Sequence, residues 1–257
     1  MNVKSIIKER NEEWKKPWIN TNKAISAFFH AKASTVKFLG STPLNTEFGN
    51  WTYAIFGDYT NGRIHTAMMY GKTGKGLPKL KDGALIRMHS SCATSEIFHA
   101  TNCECREELE EALSRIRKEG SGMLIYLDQE GAGNGMQGKI GAYGKVFLWS
   151  NGKVVPRKDR KNGEDLSIYW GYKQLGYEKE NRSFKAAADI LKFLKLRRVR
   201  LLTNNPKKAQ GLIDEGISIE PVSIHIKPKN KVVATHLKAK AKELGHKISD
   251  KEWKLGR

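Results

Sequence analysis

The residues best suited to chemistry are three cysteines that stand close together. Cys92, Cys103 and Cys105 are all the cysteines of this 257-residue chain. Three thiols cannot all pair in internal disulfides, and Cys103 and Cys105 are too close in sequence to bridge each other without strain. Zinc binds thiolates readily, and a tetrahedral ion with three protein ligands keeps its fourth position for water. The spacing therefore predicts an open, catalytic zinc site.

Two other interpretations of the cysteines stay open on spacing alone. Buried cysteines without a metal behave as small apolar residues, so the three thiols would then belong to the core. Alternatively, His89 or His99 would supply a fourth ligand and close the site, as in structural zinc centres. All these residues lie in the segment 85–108, around which the other elements must be arranged.

Two further loops carry polar residues that a fold alone does not need. In residues 129–133 (QEGAG), glycines let backbone N–H groups approach a ligand, and Glu130 can accept hydrogen bonds from a base. Residues 203–208 (TNNPKK) join a predicted strand to a predicted helix, whose N-terminus and two lysines suit an anion. Because all three polar segments follow strand ends, we expect them to form one site.

The elements that position these loops follow from hydrophobic periodicity. Residues 36–70 alternate apolar and polar types, with a hairpin signal at 60–62, which predicts an antiparallel sheet. After residue 85 helices and strands alternate, which predicts an α/β (mixed α+β) fold with a mixed β-sheet flanked by helices. The clearest helix covers 106–120. Its apolar face consists of Leu109, Ala112, Leu113 and Ile116.

The domain prediction has two parts. Residues 1–36 mix aromatic side chains with charges and contain Pro17, which predicts a short helical N-terminal extension. Residues 37–257 are predicted to form the catalytic domain. Within that domain, the glycine-rich stretch 128–138 and the basic stretch 150–166 lack periodicity and are predicted to be loops.

The charge balance favours anionic partners. Lysine plus arginine number 46 against 27 acidic residues, a formal charge of +19, and such an excess attracts nucleotides, nucleic acid or other phosphate groups. One nucleotide does not need +19, yet nucleic acid is the less favoured partner. The chain has no membrane-length apolar run and no apolar signal core at its N-terminus, so we expect a cytoplasmic protein without a membrane partner.

The residues alone predict a zinc-dependent hydrolase of a phosphorylated compound, and the motifs also resemble those of a known family. RMHSSC (87–92) and the CEC ten residues later resemble the RVHSEC and CDC metal segment of GTP cyclohydrolase II. LLTNNPKK (201–208) matches that family's LLTNNPxK. The segments DQEGAGNG, KIGAY and LGYEKENRSF are similar to its RQEGRGIG, KIRAY and LGxxxDxRxF. The order and most spacings agree over residues 43–248.

The resemblance implies a reaction and a set of catalytic residues. The family hydrolyses GTP, releases formate from C8 together with pyrophosphate, and leaves a diaminopyrimidine ribosylamino phosphate, which is the first step of riboflavin synthesis. Carried over residue by residue, the zinc ligands would be Cys92, Cys103 and Cys105, and the zinc-bound water would attack C8. The catalytic residues would be Tyr143 at the ring-opening end, Arg182 at the α-phosphate and Glu180 as the neighbouring proton acceptor.

The same resemblance implies how the substrate is held. Its substrate-binding positions correspond to Arg87, His89, Ser90, Glu108, Glu130, Gly131, Thr203 and Lys208. Each subunit would carry one zinc ion, and Mg²⁺ would accompany the nucleotide triphosphate. The family also implies a homodimer.

Several positions depart from the family's pattern. Ser91 stands where the family has glutamate, Glu108 where it has glutamine, Ala132 where it has arginine, Glu180 where it has aspartate and Ile168 where a threonine is expected. A charge-assisted contact contributes about 1.5–3 kcal/mol, so the loss of two or three would change substrate choice by orders of magnitude. Two alternatives therefore remain: a zinc hydrolase of the same fold for another purine or pyrimidine nucleotide, and a nucleotide- or nucleic-acid-binding homologue without turnover.

Overall fold

The computed structural model describes residues 34–72, 76–159, 161, 163 and 166–249. Its strands are β1 (Val36–Thr46), β2 (Gly49–Asp58), β3 (Arg63–Tyr70), β4 (Ala84–Ser90), β5 (Gly122–Leu127), β6 (Phe147–Ser150), β7 (Lys153–Pro156), β8 (Arg198–Leu202) and β9 (Ser218–Val222). Its helices are α1 (Ala93–Glu96), α2 (Cys105–Glu119), α3 (Gly135–Val146), α4 (Ile168–Gln174), α5 (Lys185–Phe193), α6 (Pro206–Ile213) and α7 (Lys231–Leu244). None of these helices combines the length and apolar character needed to cross a membrane. The predicted helical extension lies outside the described residues as far as residue 33, and the domain boundary stays a prediction.

A seven-stranded sheet in the order β1-β2-β3-β5-β4-β8-β9 forms the centre of the described structure. The pairs β1–β2, β2–β3 and β3–β5 are antiparallel. The strands β5, β4, β8 and β9 are parallel to one another. The predicted antiparallel part and the predicted mixed sheet are both confirmed. Because parallel strands end at the same edge of a sheet, β4, β5 and β8 deliver the three polar segments side by side.

Helices cover both faces of the central strands of the sheet. Successive side chains point to opposite faces of a strand, so Leu85 and Leu124 pack in the cluster that contains α2. Their neighbours Ile86 and Met123 pack in the larger cluster on the other face, which contains α5 and part of α6. Strands covered on both faces are buried along their length, which is the pattern of β4 and β5. In β5 the run is apolar apart from Tyr126, whereas β4 also buries Arg87 and His89. The sheet is therefore a well-packed support for the loops at its edge.

Helix α2 confirms the clearest prediction from the sequence. Its buried residues include Ala112, Leu113 and Ile116, and Gly120 ends it in the left-handed conformation, with a φ of 78°. Glycine adopts this conformation without the steric cost that a Cβ would bring. Since the helix begins at Cys105, the third thiol lies in its first turn.

Helices α3, α4 and α7 form a further apolar cluster next to the site. Ala142, Tyr169, Tyr172, Ala239 and Leu244 are its buried residues. The prediction of a loop over 128–138 was wrong in its second part, because α3 already begins inside that stretch. A run rich in glycine lacks helical periodicity, but tertiary packing against α4 overrides the weak local preference.

The stretch 150–166 was predicted to be a loop, and its first part is instead a hairpin. Strand β6 pairs with β7 in antiparallel register. Asn151 and Gly152 form the turn with φ values of 48° and 70°. Asn-Gly is the preferred pair for such a two-residue turn, so the sequence contained a hairpin signal that the prediction missed.

Candidate active site

One cavity lies at the edge where β4, β5 and β8 end, and it collects nearly all the predicted site residues. Its walls include Cys92, Cys103, Cys105, Tyr143, Arg182, Arg87, His89, Ser90, Glu108, Glu130, Gly131, Thr203 and Lys208. Glu180 is bonded to Arg182, which lines the cavity. The fold therefore brings together residues that stand up to 121 positions apart, from Arg87 to Lys208, while their individual roles stay predictions.

The three thiols form a compact group, in which Cys92 and Cys103 are buried and Cys105 is half-buried. Their sulfur atoms all lie within 4.8 Å of one another, and Cys92 Sγ is 3.7 Å from Cys103 Sγ. A tetrahedral zinc ion with Zn–S bonds of about 2.3 Å separates its sulfurs by about 3.8 Å, so this arrangement fits the metal. Among the described residues, the group contains neither His89 nor His99, which argues against a closed four-ligand centre.

The protonation of the thiols also fits a metal. Hydrogen bonds from Cys103 and Cys105 lower the pKa of Cys92, and the nearby Lys139 ammonium lowers it further. Hydrogen bonds to the other two thiols and burial raise the pKa of Cys105. Without a metal the cluster therefore favours one thiolate that accepts from its neighbours. A soft divalent cation would replace the remaining protons, because a coordinated thiol is deprotonated.

Lys139 and Glu130 fix the thiol group to the loop after β5. Lys139 Nζ donates to Cys92 Sγ at 3.0 Å and to Glu130 Oε1 at 2.9 Å. Glu130 also accepts from the backbone N–H groups of Gly131, at 2.9 Å, and of Ala93, at 2.8 Å. Both oxygens of Glu130 thus have protein donors. The observed contacts make Glu130 a structural link between two loops, and the expectation that it binds a base stays a prediction.

Arg182 and Glu180 form a buried ion pair beside the thiols. The guanidinium Nε lies 2.6 Å from Glu180 Oε1, and Nη2 bonds the second oxygen, so the pairing is bidentate. Arg182 Nη1 also contacts Ser90 Oγ at 3.4 Å. Burial raises the pKa of Glu180, but the bonds from Arg182 outweigh it and hold the pKa below its usual value. Glu180 is therefore ionised at neutral pH and orients the guanidinium.

The glycine-rich loop places Arg182 by backbone contacts. The N–H of Asn181 donates to the carbonyl of Ala132 at 2.9 Å. Gly133 has a φ of 88°, and a Cβ at that position would lie 2.4 Å from the Asn181 carbonyl oxygen. Only glycine allows the two chains to approach this closely. The glycines of the motif are the sequence signal for this packing. The sequence analysis had instead predicted that they let backbone N–H groups approach a ligand.

Two cations from β4 and α6, Arg87 and Lys208, also line the cavity. Arg87 donates to the carbonyl of Leu202 at 3.0 Å and pairs with Glu108. Lys208 Nζ donates to the carbonyl of Met88 at 2.8 Å. Burial, together with Arg87 and Arg182, lowers the pKa of Lys208. The Lys208 ammonium bonds a carbonyl rather than a carboxylate, so an anionic ligand beside it would return its pKa towards the usual value.

His89 and Tyr143 also line the cavity. His89 is buried, and its Nε2 lies 2.7 Å from Glu96 Oε1, whose carboxylate also accepts from Tyr126. Burial raises the pKa of Tyr143, and the three thiols raise it further. Tyr143 is thus a neutral phenol at the cavity wall, able to donate one hydrogen bond.

Residues that the sequence analysis did not single out complete the cavity. They include Lys139, Tyr169, Tyr172, His236, Lys240 and His246. Lys139 begins the KIGAY segment, so the motif contained the signal, although the prediction used only its tyrosine. The C-terminal residues had no comparable signal, because a lysine-rich helix is usually solvated.

The departures from the family's pattern also lie at this cavity. Ser91, Ala132 and Ile168 line it. Ser91 Oγ accepts a hydrogen bond from the N–H of Gln129 at 3.1 Å, so the serine links β4 to the loop after β5. Ala132 has a left-handed φ of 55°, a conformation uncommon for a residue with a Cβ.

Comparisons with known proteins identify the family of this chain. The family model for GTP cyclohydrolase II matches residues 37–223. The chain is 38% identical over 210 residues to GTP cyclohydrolase-2 of Buchnera aphidicola, covering 80% of this chain and 96% of that protein. It is 35% identical over 198 residues to GTP cyclohydrolase-2 of Psychromonas ingrahamii, covering 76% and 87%. It is also 38% identical over 207 residues to the riboflavin biosynthesis protein RibBA of Phocaeicola vulgatus, covering 79% and 45%.

The fold and the site define a mixed α/β enzyme with a three-thiol centre at the carboxyl edge of its sheet. The chain belongs to the GTP cyclohydrolase II family, whose model matches most of its length. It is thus an enzyme of that hydrolytic class.

Proposed function

We propose that this enzyme opens the imidazole ring of GTP by hydrolysis and releases formate and pyrophosphate. The remaining product would be a diaminopyrimidine ribosylamino phosphate, which serves riboflavin synthesis or a related pathway. The observation that carries the proposal is that three clustered thiols and Arg182, which is paired with Glu180, line one cavity. In this proposal the thiol end of the cavity would serve ring opening, and the Arg182 end would serve phosphate release.

The thiol end suits the hydrolytic step. Cys92, Cys103 and Cys105 would hold a zinc ion, and their separations and burial fit it. When bound, zinc supplies Lewis-acid activation of water near neutral pH. Lys139 would keep Cys92 ionised and in place through its 3.0 Å hydrogen bond. Tyr143, neutral and half-buried, would donate a hydrogen bond at the ring-opening end.

The cationic end suits the triphosphate. Arg182 would bind the α-phosphate and stabilise the charge that develops as pyrophosphate leaves. Glu180 holds the guanidinium by two hydrogen bonds, so its main task would be to orient Arg182. Arg87 and Lys208 would bind the remaining phosphate oxygens, with Thr203 beside them, and Mg²⁺ would accompany the triphosphate.

The changed positions support one alternative within the same class. Ala132 and Ile168 present apolar side chains to the cavity where the family's pattern has polar ones. Glu108 has both oxygens bonded to protein cations, Arg87 and Lys240. If these positions read the base, another purine or pyrimidine nucleotide would be the substrate. The lapsed binding homologue is less well supported, since a binder has no need of an open metal site.

Further parts of the proposal concern the protein as a whole. We propose a homodimer with one zinc ion per subunit, located in the cytoplasm. These statements follow from the family rather than from contacts in this chain. Sedimentation velocity of the zinc-loaded protein would test the dimer.

The decisive experiment incubates the zinc-loaded protein with GTP and Mg²⁺ and follows formate and pyrophosphate together. We expect both products to appear in step. The variant Cys103→Ser should release no formate, and Arg182→Ala should lower the rate of pyrophosphate release about 10²–10³-fold. Arg197→Ala changes an exposed arginine outside the cavity and serves as the matched control.

The outcomes separate the candidate functions. Pyrophosphate without formate would mean that the phosphate end works while ring opening does not occur on GTP. Absence of both products would contradict the proposal for GTP, and a panel of purine and pyrimidine triphosphates would follow. Unchanged nucleotide affinity in Cys103→Ser, with no activity in either protein, would support the binding homologue instead.

A further inference from the structure

The last helix and the residues after it contribute to the catalytic cavity. The family model ends at residue 223, whereas α7 begins at Lys231. Three side chains of this C-terminal segment, defined as residues 231–248, nevertheless line the cavity: His236, Lys240 and His246. We propose that the segment completes the substrate site, with His246 binding the triphosphate group and Lys240 acting as a positioning residue. The inference rests on the proposed function and extends it beyond the residues that the family model covers.

Lys240 connects two buried carboxylates of the site. Its Nζ donates to Glu104 and, at 3.1 Å, to Glu108. The second oxygen of Glu104 lies 2.8 Å from His236 Nδ1, and the second oxygen of Glu108 bonds Arg87. One ammonium therefore offsets two negative charges beside the cavity. Without it, both carboxylates would repel a phosphate group, and Glu108 would hold Arg87 more strongly.

His246 presents an unsatisfied ring nitrogen at the same wall. Its Nε2 is buried and has no hydrogen-bond partner among the described residues. The charged groups that share the cavity and act electrostatically on the ring are Lys240, Glu108, Arg182 and Lys208. Burial, with Lys240 beside it, lowers the pKa of His246 to about 2, so the ring is neutral. A buried polar atom without a partner is unfavourable. In the tautomer that carries its proton on Nε2, a ligand that accepts a hydrogen bond would satisfy the ring.

Backbone hydrogen bonds hold the main chain around His246 in place independently of its imidazole side chain. Gly245 ends α7 in the left-handed conformation, with a φ of 69°. The N–H of His246 then donates to the carbonyl of Lys240 at 3.2 Å, and that of Lys247 donates to the carbonyl of Asn204 at 2.8 Å. Asn204 belongs to the loop that also carries Lys208. A change of the imidazole alone should therefore leave the position of the segment intact.

The surroundings of His246 identify the part of the ligand that it would contact. Arg182, Lys208 and Lys240 line the same cavity as His246, and Glu108, the carboxylate that acts on the ring, is neutralised by Arg87 and Lys240. A neutral donor among cations suits a phosphate oxygen better than a nucleobase, whose edges carry both donors and acceptors. The chemical class is thus the triphosphate group of a nucleoside triphosphate.

The test measures binding without requiring turnover. Inorganic tripolyphosphate with Mg²⁺ is titrated by calorimetry into the zinc-loaded full chain and into His246→Ala, Lys240→Met and Lys240→Arg. Lys242→Met, on the exposed side of α7, is the matched control. The loss of one hydrogen bond to a charged group should raise the Kd of His246→Ala at least about tenfold. Lys240→Met should weaken binding similarly, and Lys240→Arg should restore it.

The outcomes also separate this inference from the proposed function. If His246→Ala binds tripolyphosphate as wild type does, or if wild type does not bind it, the assignment of the segment is overturned. If wild type binds it in a His246-dependent manner yet releases no formate from GTP, the assignment holds and the GTP reaction fails. Should Lys240→Met not fold, His246→Ala still decides the question, because that variant leaves the carboxylate network unchanged.

Discussion

Replacement of Lys139 by methionine tests how the site holds its metal. Lys139 is buried, with 5% of its side chain exposed. Its ammonium connects Cys92 Sγ, at 3.0 Å, to Glu130 Oε1, at 2.9 Å. Methionine has a similar length but no charge and no donor. The variant should therefore fold around the same shape while it loses both hydrogen bonds.

The two lost bonds predict two separate effects. A hydrogen bond to a charged group contributes about 1.5–3 kcal/mol, so without the bond to Cys92 zinc affinity should fall about 10–100-fold, the usual range for a group that contacts a metal ligand. Breaking a buried ion pair costs about 3–5 kcal/mol. Because Glu130 keeps its bonds from Gly131 and Ala93, the expected loss in unfolding free energy is about 3 kcal/mol.

Zinc affinity would be measured by competition with a chromogenic chelator, and stability by urea unfolding of the metal-free protein. Lys145→Met is the matched control, since Lys145 lies on the same helix but is exposed. If Lys139→Met binds zinc as tightly as Lys145→Met does, the ammonium does not support the thiolate. If its metal-free stability is also unchanged, the pairing with Glu130 contributes nothing, and the reasoning fails at both points.

Two further predictions concern the ion pair beside the thiols. The pKa of Glu180 is held below its ordinary value of 4.5, so the contribution of its ionised form to stability is present above about pH 4.5 and is lost as the pH falls further. The difference in unfolding free energy between wild type and Glu180→Gln should therefore be largest at pH 7 and should shrink below pH 4.5. A difference independent of pH would contradict this. Gly133→Ala places a Cβ against the Asn181 carbonyl, so it should move Arg182 and lower kcat while the zinc content stays unchanged. Gly144→Ala is the control, because a Cβ there meets nothing within 4 Å. Equal kcat values in the two variants would refute the positional argument.

Local patterns predicted much of the fold correctly. The alternation over residues 36–70 gave the antiparallel strands, and the apolar stripe of 106–120 gave helix α2 with its end at Gly120. These features depend on periodicities of two and 3.6 residues, which the sequence displays directly. Helix α4 and the extent of α3 could not be read in this way, because their stability comes from packing on each other.

Part of the candidate site, like part of the fold, could be predicted from the sequence. The cysteine spacing and the motifs around Arg182 and Lys208 predicted a metal centre next to an anion site, and the cavity contains these residues together. The contacts of Glu130 were not predictable, since its partners Ala93 and Lys139 come from two different elements. A sequence names an acceptor but does not say which donors the fold will bring to it.

The sequence by itself determined the chemistry: which thiols stand close enough to share a metal, and which family the chain resembles. Only the tertiary structure decided that Lys139 supports Cys92 and that the C-terminal segment reaches the cavity. The physical reason is that desolvation and pairing depend on distance in space. Lys240 is 136 residues from Glu104 along the chain, and only the packed fold makes them partners.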